Sequence, residues 1–149
     1  MDTTNNALPF GELVFGDFPY DDGGSKNRWV FVLKDYGDTA AVAYCTSNPS
    51  IQGSVRLGAL ADGKVTNLVA YRYEVVQKTR LQVGRTQRVP LPVPGVGDEV
   101  LGSIRRAAKT GVYQQELSQY LLGLIPEMTR RGQAQFQKIA ARKAAYKKK

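Results

Sequence analysis

Residues 11–48 read GELVFGDFPYDDGGSKNRWVFVLKDYGDTAAVAYCTSN. Two apolar runs, Glu12–Phe18 and Trp29–Leu33, flank a polar, glycine-bearing loop at Asp21–Asn27. A third run, Thr39–Tyr44, leads into Cys45-Thr46-Ser47-Asn48. Runs rich in Val, Phe, Tyr and Trp, bounded by Gly, Asp and Asn, predict short strands in a hairpin arrangement. The loop carries both charge signs and is longer than a minimal hairpin turn. Such a loop, standing on stiff strands, is where function usually sits.

Outward from this stretch, residues 1–9 are a loose lead-in without a clear period. Downstream, Ser54–Leu60 alternates, with Val55, Leu57 and Ala59 on one side and Arg56 on the other. Ala61-Asp62-Gly63-Lys64 predicts a tight turn, since Asp-Gly tolerates positive φ. Thr66–Gln77 is the longest β-like run, with Leu68, Ala70 and Val75 among its apolar positions, and Thr79–Val83 continues the sheet until Gly84 breaks it. Three prolines in Val89–Gly95 remove ladder donors and predict an extended connector. Two helices follow. Asp98 caps Glu99–Lys109, with Val100, Leu101, Ile104 and Ala108 on one face and Gly111 as its stop. Gln114–Ile125 places Leu117, Leu121 and Leu124 at helical spacing, and Pro126 ends or bends it.

The class is therefore α+β: a small twisted antiparallel β-barrel of about five to seven strands, then C-terminal helices and a basic tail. The barrel and helices span 1–126. Residues 127–149 form a helical or mobile tail whose thin apolar stripe (Met128, Phe136, Ile139, Ala140) either docks or frays.

A chain of 149 residues suits one domain with an appendage. It has no apolar run of membrane-spanning length and no leader-like N-terminus, which favours the cytoplasm. The single cysteine excludes an internal disulfide, and Cys45 fits a small buried hydrophobe at a strand end. The net charge of +8 is unevenly spread. Residues 127–149 hold eight of the 21 Lys/Arg and one of the 13 acids, leaving thirteen and twelve for a nearly neutral body. Most electrostatic reach thus lies in the tail.

Histidine is absent. That excludes a His–His ribonuclease pair, a Ser-His-Asp triad and a Cys-His dyad, and it leaves a zinc site few ligands. RNA cleavage needs neither histidine nor metal, because the ribose 2′-hydroxyl is a built-in nucleophile. The protein must then supply positive charge at the phosphorane-like transition state and a proton acceptor and donor. Arginine suits the first task, since its fork grips phosphate oxygens and stays charged. A second aromatic-basic concentration is Tyr71-Arg72-Tyr73. On a regular strand its tyrosines share one side, either stacking single-stranded bases or lying half-buried on the sheet.

The opening stretch resembles the MazF/PemK family of toxin endoribonucleases. The resemblance rests on Gly11-Glu12-Leu13-Val14, Asp17-Phe18-Pro19-Tyr20, Gly23-Gly24-Ser25-Lys26, Arg28 and Thr46-Ser47-Asn48. It covers about a quarter of the chain. The proline usual after the arginine is Trp29, a change that bears on how Arg28 is aimed. The resemblance implies a metal-independent, cofactor-free endoribonuclease acting on single-stranded RNA. It also implies a homodimer silenced by an acidic antitoxin. Carried over by motif, Arg28 would stabilise the scissile phosphate and Thr46 would hold a phosphate oxygen. Lys26, Ser47, Asn48, Tyr71 and Tyr73 are candidates for substrate contact, and Asp21 or Asp22 for the general base. The blander readings are a solvated strand-start charge for Arg28 and ordinary turn chemistry for Thr46-Ser47-Asn48. Trp29 is either a base-stacking platform or core. The competing function is a non-catalytic module on the same barrel that binds nucleic acid or protein.

Overall fold

The computed structural model describes residues 7–19, 25–59, 65–88 and 96–128. Six strands form one antiparallel sheet: β1 (Glu12–Pro19), β2 (Ser25–Asp35), β3 (Thr39–Thr46), β4 (Val55–Ala59), β5 (Val65–Gln77) and β6 (Leu81–Arg88). A single 3-10 turn, Lys78–Arg80, joins β5 to β6. In space the strands run β4-β5-β3-β2-β1-β6. Helix α1 (Val96–Lys109) follows, and α2 spans residues 115–128. The predicted turn at 61–64, the proline connector and all of the tail beyond 128 lie outside the described residues.

The central strands are apolar on both faces, so each face needs a cover. Phe31, Leu33, Ala41, Ala43, Leu68 and Ala70 point to the helices and meet Val100, Leu101, Ile104, Leu117 and Leu121. On the other face Val14, Phe18, Val30, Val32, Val42, Tyr44, Val69 and Val76 pack on one another. The sheet buries this second face by curling. Strands lie about 4.8 Å apart, so β1 and β5, three places apart, would be roughly 14 Å apart if flat. Yet the Arg72 guanidinium of β5 sits 5.8 Å from the Phe18 ring of β1. The helix-free face is concave.

The curl stops short of the predicted barrel. Among the described residues β4 and β6 do not pair with each other, and the sheet stays open. The described part of the edge strand β4 is five residues, with the register shifted between Arg56 and Gly58, where φ is +112°. The open six-stranded sheet followed by helices keeps the α+β class.

Other departures from the sequence reading have local causes. β5 carries a three-residue register shift, since Ala43 faces Tyr73 but Tyr44 faces Val69. That shift buries Val76 and leaves Val75 43% exposed, reversing the alternation expected of a regular strand. β6 runs through Gly84 to Arg88, because the skipped residues 83–85 let Phe15 pair with Gln82 after Val14 pairs with Thr86. α1 begins at Val96, which puts Asp98 in its first turn, where a carboxylate complements the helix dipole. α2 continues past Pro126 to 128, and Met128 packs against the helix-side core. Ile125, not Leu124, is the buried residue near its end.

Candidate functional site

Two arginines reach the concave face. Arg28 lies on β2, two residues before Val30, which pairs with Tyr44 of β3. It therefore shares an end of the sheet, and a face, with Thr46. Its Nη1 donates to the Cys45 carbonyl at 3.5 Å, next to Thr46, and its Cζ stands 4.5 Å from the Tyr44 ring centroid. Arg72 arrives from β5, on the other side of β3, with Cζ 4.7 Å from the same ring. Phe18 tilts against Tyr44 at 5.4 Å. Two guanidinium groups from strands flanking β3 thus meet one aromatic ring. The β5 register shift is what turns Arg72 inward.

Thr46 closes the same end of β3. Its side-chain oxygen accepts the Asn48 N–H at 3.1 Å, and Asn48 in turn accepts the Ser50 N–H at 3.0 Å. A hydroxyl whose lone pair is so used keeps its own proton to donate. The Thr46 carbonyl accepts from Asn67 Nδ2, which is buried on β5. The turn leaves Ser47 and Asn48 exposed. Tyr71 is exposed as well, but its hydroxyl donates to the Gln52 carbonyl at 2.9 Å and ties down the loop after Thr46.

The seven residues singled out from sequence therefore separate. Arg28, Thr46, Ser47 and Asn48 gather at one end of the sheet, and Tyr71 borders the loop beyond them. Tyr73 goes elsewhere: its hydroxyl accepts the Gln114 N–H at 3.1 Å and its ring meets Tyr113 edge-on at 5.0 Å, docking α2. The two tyrosines do not share a surface, because the register shift lies between them. Lys26 belongs to β2, where its backbone pairs with Phe18; Asp21 and Asp22 lie outside the described residues. Sequence reasoning missed Tyr44, and it noted Arg72 only as the residue between two tyrosines.

Trp29 sits on the helix-side face, not beside Arg28. It packs edge-on against Phe15 at 5.4 Å, and Arg85 covers Phe15 at 4.0 Å. Its indole N–H is buried with no acceptor among the described residues. Cys45 is buried, and that burial pushes its thiol up to about 12 against the lowering pull of Arg28 and the Phe31 backbone. A thiol held so high is no nucleophile at neutral pH. Among the described residues no three His, Cys, Asp or Glu side chains gather as a metal site would need, and no helix is long and apolar enough to cross a membrane.

No protein-family model matches the chain, and no curated protein matches it either.

Proposed function

We propose that the protein is a metal-independent endoribonuclease that cleaves single-stranded RNA at the Arg28/Thr46 end of the concave face. The observation that carries this is the convergence of Arg28 and Arg72 on Tyr44, one strand-end from the Thr46 hydroxyl. Two guanidinium forks present fixed positive charge to phosphate oxygens, and positive charge is what the phosphorane-like transition state requires. Thr46 adds a neutral donor to a non-bridging oxygen.

In this reading the ribose 2′-oxygen attacks the adjacent phosphorus and the 5′-oxygen leaves, giving a 2′,3′-cyclic phosphate and a 5′-hydroxyl. The attacking hydroxyl loses a proton to a base, and the leaving oxygen gains one. Arg28 and Arg72 bind the phosphate and stabilise its added charge. Ser47 and Asn48, exposed on the turn, contact the neighbouring nucleotide.

The MazF/PemK resemblance extends the proposal to a barrel-related fold, a homodimer, a cytoplasmic toxin–antitoxin pair and silencing by an acidic antitoxin. A face that carries two arginines is a surface an acidic peptide would also cover. The test is incubation of the purified chain with single-stranded RNA in EDTA. Cleavage should persist and leave cyclic or 3′-phosphate ends. Cleavage that vanishes with chelator and returns with magnesium refutes the mechanism.

A further inference from the structure

Tyr71 has no part in the proposed reaction, yet it is the most exposed large apolar side chain among the described residues, at 48%. A lone exposed aromatic is common on protein surfaces and by itself signals nothing. This one is held in place. It lies in the stretch 70–72 that the β3–β5 register skips, and its hydroxyl donates to the Gln52 carbonyl at 2.9 Å. On one side the ring lies against bare backbone. A Cβ built on Gly53, where φ is +80°, would stand 3.3 Å from Tyr71 Cε1 and 3.9 Å from Cδ1. Gln52 and Gly53 belong to the loop that the Thr46–Asn48 turn begins, and Ile51 of that loop packs on the concave-face core. The ring is thus anchored at its tip and backed along one edge, while nearly half of the residue still meets solvent.

We infer that Tyr71 is a stacking platform for one nucleobase of single-stranded RNA, on a nucleotide flanking the cleavage position. This rests on the proposed reading, which supplies the class of ligand. Every base has a π face, so a tyrosine ring stacks bases with little regard for sequence. The general cost of such a contact is ordering the side chain that makes it. Here the hydroxyl bond and the Gly53 backbone order the ring before RNA arrives. The stacked surface is apolar and asks for no charge, which leaves the phosphates to other residues. Phe keeps the flat face and loses only the tie to Gln52. Leu keeps apolar bulk and offers no flat face.

The experiment uses the full-length chain, Tyr71→Phe and Tyr71→Leu, with circular dichroism melts to establish that each is folded. The probe is a short single-stranded 2′-O-methyl oligonucleotide of mixed sequence, carrying 2-aminopurine at each position in turn. Its methylated 2′-oxygens cannot attack phosphorus, so binding is read without cleavage. Stacking on an aromatic ring quenches 2-aminopurine, and wild type should quench it. Tyr71→Phe should keep the quench and bind within about threefold of wild type. Tyr71→Leu should lose the quench and on the order of tenfold in affinity. Its log–log salt slope should stay that of wild type, because a stacked base neutralises no phosphate.

Three results overturn the inference: no quench in wild type, a full quench in Tyr71→Leu, or equal losses in the Phe and Leu variants. The last would assign Tyr71 the tie to the loop and nothing more. The cleavage reading fails by a different result. Unmodified RNA left uncut in EDTA, with the quench as expected, sinks the reaction and leaves the platform standing. Cleavage that Arg28→Ala abolishes, with the quench intact in Tyr71→Leu, sinks only the role of Tyr71.

Discussion

At the scale of single residues, the Thr46 hydroxyl has two jobs that substitution can separate. It accepts the Asn48 N–H and so shapes the turn, and in the proposed reaction its own proton goes to a phosphate oxygen. Thr46→Ser keeps both and should cleave near the wild-type rate. Thr46→Val keeps the shape, loses both, and should fall by about tenfold, short of the loss from removing a charge. Arg28→Ala should cost on the order of 10²-fold or more. Arg28→Lys should recover little of it, because an ammonium cannot reproduce a planar fork stacked on a ring. Cleavage assays in EDTA on these variants check the set; unchanged activity in Arg28→Ala leaves the site without its main residue. That Arg28 and Thr46 lie on adjacent strands at one end of the sheet was legible in the sequence, because each sits in a pattern that travels along one strand. Tyr44 and Arg72 were not. Their meeting depends on residues 70–72 being skipped in the β3–β5 register, and no local pattern announces such a shift. The same shift separates Tyr71 from Tyr73, which strict alternation would have kept together.

At the scale of elements, one carboxylate ties the N-terminal segment to the sheet. Asp35, at the end of β2, accepts from Lys78 Nζ at 2.6 Å, from the Leu8 N–H at 2.8 Å and from the Gly37 N–H at 2.7 Å. Leu8 in turn belongs to the concave-face core. Burial pushes the Asp35 carboxyl up, but Lys78 and the two backbone N–H groups outweigh it and hold it below its ordinary value. A carboxyl lowered on folding stabilises the protein above its unfolded pKa of about 3.9, and that stability is lost as pH falls through the folded value. Asp35→Asn should therefore cost about 1–3 kcal/mol near neutrality. In melts from pH 7 to pH 3 the gap to wild type should hold until about pH 4 and narrow below it. A gap that stays constant across the range would deny the ion pair its role. A second element contact is tighter still. A Cβ built on Gly16 of β1 would lie 2.6 Å from Leu81 Cδ2 and 2.9 Å from the Arg80 carbonyl. Gly16→Ala should force β6 away from β1 and destabilise by about 1–3 kcal/mol, read from chemical denaturation. The strands themselves were legible because alternation, turn residues and β-branched runs agreed. Their ends and register shifts were not: Gly84 looked like a break, yet β6 absorbs it.

At the scale of the whole molecule, the described fold and the charge are separate resources. The sheet curls to bury its concave face, the helices cover the other, and α2 carries the described structure to residue 128. The 21 residues that follow hold eight Lys/Arg and no Asp or Glu, so residues 1–128 are left with thirteen of each sign. A body of zero net charge exerts little net attraction on a polyanion. General RNA affinity should then come largely from the basic segment, and the preference for a cleavage site from the concave face. Cutting the chain after Met128, rather than at Pro126, keeps the described part of α2 and its buried Ile125. The shortened protein should melt within a few degrees of wild type and cut the same preferred RNA. Its binding should weaken, and the log–log salt slope should flatten by roughly 0.7 for every phosphate the basic segment no longer neutralises. Binding isotherms at several salt concentrations, with melts alongside, measure both quantities on one pair of proteins. A shortened protein that melts far lower while its salt slope is unaltered would reverse the assignment. The apolar residues Phe136 and Ile139 would then belong to the core, and the lysines around them to a solvated face.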